Sequence, residues 1–187
     1  MSINKPQILI ALVDDSGNIL GYEEKLAVHE RGDLHLAFSL MIVRRVDNRM
    51  ECLLQRRALH KYHSGGLWTN TCCSHPFPNE AIKIAAQRRV MDELGIQTSL
   101  DILSIGRIRY CHALDNNLIE HELNNLLVAE VKDINWAGNI DEVMQVKWWK
   151  EQDIAKALLE HPRTFTAWFA EVFEHVQKNM TRLEPSL

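Results

Sequence analysis

The sequence predicts an α+β fold, an α/β sandwich in which a mixed sheet is flanked by helices, and three features predict it. Strand-like apolar runs come in pairs around short polar turns. One strongly helical segment lies between the second and third pairs. Two further helical segments close the chain. No repeat, low-complexity tract or Pro/Gly/Ser-rich linker divides the 187 residues, which suffice for one domain, 1–187, with a substantial core.

The first pair, QILIALV and ILGYEEK, reads as a hairpin around DDSGN, a turn that contains glycine. The second, LHLAFSLMIVRRV and MECLLQRRAL, turns at Asp47–Arg49. A helix follows over Glu80–Leu94, with Asn79 as its N-cap and Gly95 just past its end. LSIGRIRYCHAL and LIEHELNNLLVAEV form the third pair around DNN, and EVMQVKWW is a further strand. Helical segments over Glu151–Leu159 and about Thr164–Asn179 complete the chain.

A net charge of −4 argues against nonspecific nucleic-acid binding. The apolar run Ile8 to Val13 is too short for a signal segment or a membrane span, so a cytoplasmic protein is expected. In that compartment Cys52, Cys72, Cys73 and Cys111 stay reduced. Cys52, Cys72 and Cys111 read as small core fillers. An extended CCSH segment points Cys72 and Cys73 to opposite sides, and no second Cys/His pair matches it for a zinc finger.

The Glu80–Leu94 helix carries an apolar stripe of Ile82, Ala85, Ala86, Val90 and Leu94. Arg89 and Glu93 lie four apart on or beside that stripe, where charges are costly unless paired or bound to something. SHPFPNEAIKIAAQRRVMDELGI places Ser74, Glu80, Arg88, Asp92, Glu93, Gly95 and Ile96 at the spacing of a Nudix box. The resemblance is degenerate: Ser74 stands for a glycine, Arg89 for the first glutamate of the Arg-Glu pair, and Asp92 for a glutamate. In that family the acidic helix gathers divalent cations over a diphosphate. A cation at Arg89 speaks against multi-metal hydrolysis and for binding a phosphate with a guanidinium fork.

In LIEHELNN, Glu120 and Glu122 project to one face of a strand, as a solvated edge or as a site for metal and proton transfer. The apolar LNNLLVAEV places that strand inside the fold, where two like charges repel or demand a cation. His29, His35 and His75 could join them in a five- or six-ligand N/O site suited to Mn, Mg or Zn.

HERGDLHLAFS, RRALHK, GGLWTNTCCSHP, RRVMDELG, RYCHALDNNLIEHE and DEVMQVKWW fall in the order seen in type I isopentenyl-diphosphate Δ-isomerases. The chain resembles that family from about Leu20 to Trp168, although its His29–His35 segment is one residue shorter. The resemblance implies a Nudix-like sheet with an extra N-terminal hairpin and C-terminal helices. It implies that Cys73 and Glu122 transfer protons on opposite faces of the substrate, with Tyr110 assisting Glu122. It makes His29, His35, His75, Glu120 and Glu122 metal ligands. Glu93 and the backbone carbonyl of Cys73 would hold a Mg²⁺ bound to the diphosphate. Lys25, Arg57, Lys61 and Arg89 would grip that diphosphate, and Trp168 would face the hydrocarbon.

The implied partner is a small diphosphate, with neither nucleic acid nor membrane, acting on a monomer or weak dimer. The rivals are a Nudix-type diphosphate hydrolase, against which Arg89 stands, and a noncatalytic diphosphate- or metal-binding module. His60, His63, His112, His121, His161 and His175 receive no role.

Overall fold

A computed structural model describes residues 8–182. Strands β1 (Leu9–Val13) and β2 (Ile19–Glu24) form the expected antiparallel hairpin. Its turn is closed by Asp14, whose carboxylate accepts from the backbone N–H of Ser16 and of Asn18, each at 2.9 Å. Helix α1 (Lys25–Arg31) follows at once and has no counterpart in the sequence expectation. Seven residues are too few for periodicity to show. Its caps explain it: Glu24 accepts from Ala27 N–H at 2.9 Å, and Gly32 ends the helix at φ 73°.

Strands β3 (His35–Val46) and β4 (Arg49–Arg57) meet at Asp47 and Asn48, both at positive φ, as a tight hairpin turn requires. The two-residue strands-worth β5 (Trp68–Thr69) lies on β4, and β6 (Cys72–Ser74) pairs with β3. Strands β7 (Leu103–Ala113) and β8 (Ile119–Glu130) are antiparallel, and β9 (Val143–Lys150) pairs with β4. The long strand β3 is the hub, antiparallel to β1, β4 and β6 and parallel to β8.

Alternation along β3 divides the core into two layers. Phe38, Leu40 and Ile42 pack on Ala85, Ala86, Val90 and Leu94 of helix α2 (Ile82–Leu94). Met41 and Val43 face the opposite way. They meet Ile154 of α3 (Glu151–Glu160) and Phe169, Phe173 and Val176 of α4 (Phe169–Arg182). Each large apolar side chain buried here contributes roughly 1.5–3 kcal/mol. Trp148 and Trp149 on β9 divide between the same two layers.

Three expectations need correction. Helix α2 begins at Ile82 with Ala81 as N-cap, not at Glu80 behind Asn79. Asn79 stands at φ 62° in a turn where Glu80 N–H donates to Phe77 O at 3.0 Å. That turn leaves the Glu80 carboxylate free to clasp Arg88 with two hydrogen bonds of 2.7 Å. Helix α4 begins at Phe169 rather than near Thr164. Phe165 bridges to Trp68, and Thr166 N–H donates to Trp68 O at 2.9 Å, so these residues dock on β5 before the helix starts. Cys111 is exposed rather than a core filler, because its neighbour Tyr110 takes the inward side of β7. Among the described residues no helix is long and apolar enough to cross a membrane.

Candidate active site

Strand register gathers the candidate residues. Glu120 and Glu122 are both buried on one face of β8. His35, the first residue of β3, lies in register with Glu122, and so does Tyr110 of β7. Cys73 of β6 pairs with Ser39 of β3. His29 arrives from α1, and His75 stands one residue beyond β6.

The ligand atoms of His29, His35, His75 and Glu120 all lie within 4.8 Å of one another, and all four residues are buried. His29 Nδ1 is 2.7 Å from Lys25 O, and His35 Nδ1 is 2.8 Å from Asp33 O. A carbonyl oxygen only accepts, so both Nδ1 atoms carry hydrogen and both Nε2 atoms turn toward the carboxylates. His29 Nε2 is 3.0 Å from Glu120 Oε1, and His75 Nε2 is 3.2 Å from Glu122 Oε1. His35 Nε2 stands 3.7 Å from one oxygen of each glutamate. The Nε2 atoms of His35 and His75 are buried without a hydrogen-bond partner. Unpartnered imidazole nitrogens converging on paired carboxylates are the donor set of a divalent cation, and this cluster fits one.

The electrostatics agree. Burial alone would lower His35, but its contacts with Glu120 and Glu122 outweigh that and raise it to about 9. Burial lowers His75 to about 4, which leaves it neutral. Burial works to raise both carboxylates, and the imidazoles around them nevertheless hold them below the ordinary range. Positive charge is wanted at this point, and a proton on His35 supplies it in part.

Glu122 also carries a proton network. The Tyr110 hydroxyl donates to Glu122 Oε2 at 2.5 Å. Asn124 Nδ2 donates to the same oxygen at 2.7 Å and to the Tyr110 oxygen at 2.9 Å. Cys73 Sγ lies 3.4 Å from Ser39 Oγ. Burial first, and the Glu122 charge second, push its thiol well up, so sulfur keeps its proton. Trp168 is fully buried with Tyr110, Leu126 and Val172 and lines the same cleft as Cys73 and Glu122.

The cleft's other end is basic, with Lys25, Arg57, Lys61 and Arg89 on its wall. Arg89 Nη2 donates to Glu93 Oε1 at 2.5 Å, while Gln55 Nε2 donates to Glu93 Oε2 at 2.7 Å. Lys61 pairs with Glu142, which also lies 3.5 Å from Arg89. The Nε atoms of Arg57 and Arg89 are buried without partners, as suits donors placed for an anion. Burial holds the Lys25 ammonium below the ordinary lysine range.

Every candidate residue therefore falls in or against one cleft, and Cys72 points into the opposite core layer. Sequence reasoning missed Gln55, Asn124, Glu142 and His63. Asn124 had a signal, since it stands two residues beyond Glu122 on the same strand face. Gln55 and Glu142 are legible only through the pairing of β4 with β9 and the approach of α2.

Comparison with known proteins identifies the family and the fold. Residues 33–169 match the NUDIX domain. An isopentenyl-diphosphate Delta-isomerase of Photobacterium profundum is 44% identical over 167 residues, 89% of this chain and 93% of the relative. One from Aliivibrio fischeri is 41% identical over 176 residues, 93% of this chain and 97% of the relative. The crystal structure of DR0079 from Deinococcus radiodurans superposes with a TM-score of 0.69 at 11% identity, covering 89% of this chain and 97% of that one. A Nudix hydrolase of M. smegmatis, RenU, gives 0.62 at 16% identity over 96% and 97%. Those two likenesses concern the fold alone.

Proposed function

The chain belongs to the NUDIX domain proteins and, among them, to the isopentenyl-diphosphate Δ-isomerases, and we propose that Cys73 and Glu122 are its proton-transfer pair. The enzyme converts isopentenyl diphosphate to dimethylallyl diphosphate. One observation carries the assignment: a half-buried thiol and a Tyr110-bonded carboxylate line one cleft whose wall is an indole.

The reaction protonates an unactivated alkene carbon and removes a proton from the carbon on the other side of the new cation. Glu122, with Tyr110, supplies the first proton, and Cys73 accepts the second. The tertiary carbocation between these events needs a dry site with an electron-rich wall. Tyr110, Leu126, Val172 and Trp168 exclude water, and the Trp168 ring face stabilises the cation by about 2 kcal/mol or more once desolvated. In the free site the thiol is protonated and Glu122 is ionised. A forward turnover leaves that same state behind, so the pair must exchange protons with water before the next one.

Arg57, Arg89, Lys61 and Lys25 anchor the diphosphate, supported by the two unpartnered guanidinium nitrogens. His29, His35, His75, Glu120 and Glu122 would hold a divalent ion, Mn²⁺, Mg²⁺ or Zn²⁺. Glu93 and the Cys73 carbonyl would hold the Mg²⁺ that travels with the diphosphate. Bound there, the ions neutralise the clustered carboxylates and phosphates and make Glu122 a stronger acid. We read the enzyme as cytoplasmic, a reading supported by its free cysteines, and as a monomer or weak dimer.

The test is to incubate the protein with Mg²⁺ and isopentenyl diphosphate and to follow dimethylallyl diphosphate and free phosphate together. Isomer without phosphate supports the proposal, and phosphate release would favour the hydrolase rival.

A further inference from the structure

We infer that Asn124 is a positioning residue for proton delivery: its amide reserves one oxygen of Glu122 for the Tyr110 proton and leaves the other to the imidazoles. The inference deepens the proposed function and rests on reading Glu122 as a proton-transfer group. Glu122 divides its two oxygens. Oε1 faces His75 Nε2 at 3.2 Å and His35 Nε2 at 3.7 Å. Oε2 accepts from the Tyr110 hydroxyl at 2.5 Å and from Asn124 Nδ2 at 2.7 Å. Glu120, on the same face of β8, provides the contrast. Both of its oxygens face imidazoles, Oε1 those of His29 and His35, and Oε2 that of His63. The hydroxyl and the amide set Glu122 apart from a carboxylate that only holds metal.

The orientation of Asn124 follows from its partners. A carboxylate oxygen only accepts, so the amide presents its NH₂ group to Glu122 and turns its carbonyl away. The same Nδ2 donates to the Tyr110 oxygen at 2.9 Å. An amide nitrogen does not accept, so the phenol hydrogen must point elsewhere, and Glu122 Oε2 is the acceptor it meets. One NH₂ group thus fixes both the carboxylate and the direction of the hydroxyl. The backbone beneath is held on both sides, with Asn124 in register with Ala37 of β3 and Ile108 of β7. Asn124 is fully buried, and its Oδ1 has no hydrogen-bond partner among the described residues. An unpaired buried carbonyl is unfavourable, and an apolar side chain would fill the place without one. Packing alone does not account for an asparagine here.

The test compares Asn124→Leu and Asn124→Ala with Glu122→Gln in the metal-loaded full chain, the leucine keeping the volume without the donors. Both Asn124 variants are expected to lose roughly 10–100-fold in kcat, since a misplaced proton donor slows the chemical step. KM, bound metal by elemental analysis, and Tm should stay near the parent's, because the diphosphate anchors and Glu122 Oε1 are untouched. Proton NMR of the metal-stripped chain follows the Tyr110 hydroxyl hydrogen, identified by its loss in Tyr110→Phe. That hydrogen should resist solvent exchange in the parent and exchange freely in both Asn124 variants. Parent-like kcat in either Asn124 variant, with Glu122→Gln inactive, would overturn the role of Asn124 and leave the proton-transfer pair standing. Loss of metal or of fold in step with activity in both would make Asn124 a structural residue and overturn its positioning role. Parent-like activity in Glu122→Gln would overturn the proton-transfer reading, and this inference with it.

Discussion

Helix α2 and the face shared by β3 and β8 carry the same kinds of charge and use them in opposite ways. Around α2 the charges satisfy one another: Glu80, in the turn before the helix, clasps Arg88, and Arg89 bonds Glu93, each at 2.5–2.7 Å. On the sheet face two carboxylates lie side by side, and two of the imidazoles turned toward them have nitrogens without partners. A helix that balances its own charge can anchor a substrate but offers little to gather several metal ions. A face that is short of positive charge invites a metal and keeps a carboxylate ready to move a proton. On the proposed assignment the chemistry lies on the sheet face and not on the box helix, and Arg89 marks that difference.

The largest effect that tests this contrast is at Cys73. Cys73→Ala should lower kcat by roughly 10³-fold or more, whereas Cys72→Ala, whose thiol faces the α2 layer, should keep most activity. Equal activity in the two variants would place the chemistry elsewhere. Alkylation should inactivate the enzyme, and bound substrate should protect it.

Next come the ligands of the sheet face. His75→Ala and Glu120→Gln should each reduce bound metal, with affinities weakened roughly 10–100-fold or more, as elemental analysis and titration would report. Full occupancy in both variants would erase the distinction between the two regions.

On the helix, Arg89→Ala should raise KM by roughly 10–100-fold, since one charge-assisted anchor contributes about 1.5–3 kcal/mol. Its kcat should fall as well, through mispositioning of the hydrocarbon. Arg89→Glu should not hydrolyse the diphosphate efficiently. A near-normal KM in the alanine variant would show that the helix does not anchor the substrate.

The smallest expected effect is on stability. His35 is raised from 6.5 to about 9 in the folded protein. Its contribution is therefore full below pH 6.5 and is lost as pH rises toward 9. Metal-stripped protein should show a falling Tm across that window, and metal-loaded protein should not. A flat Tm in the stripped protein would mean that the carboxylates do not depend on His35 for charge.

How legible each region was in the sequence follows from its construction. The paired strands were visible because period-two apolar runs and the turns at Gly17 and Asp47–Asn48 are local signals. The α2 stripe was equally local, but its first turn was not. Asn79 and Glu80 fold into a turn that serves Arg88, which reads in sequence as a capped helix start. Helix α1 was hidden by its length, although it delivers His29 and Lys25. Family resemblance named the residues proposed for proton transfer and metal binding. Their convergence needed the parallel pairing of β3 with β8, a contact between residues about 87 apart in the chain, from His35 to Glu122. His63 and Glu142 stayed out of view because their partners, Glu120 and Lys61, come from distant segments.

The most direct measurement of the proton-transfer claim is the fate of solvent deuterium. Isopentenyl diphosphate is incubated with the enzyme and Mg²⁺ in D₂O, and the dimethylallyl product is examined by NMR, with Cys73→Ala run beside it. If Glu122 and Tyr110 donate and Cys73 accepts, the parent's product carries solvent deuterium in its new methyl group, its diphosphate stays intact, and the variant forms no product. A product free of deuterium would mean a direct hydrogen shift within the substrate and would contradict the account.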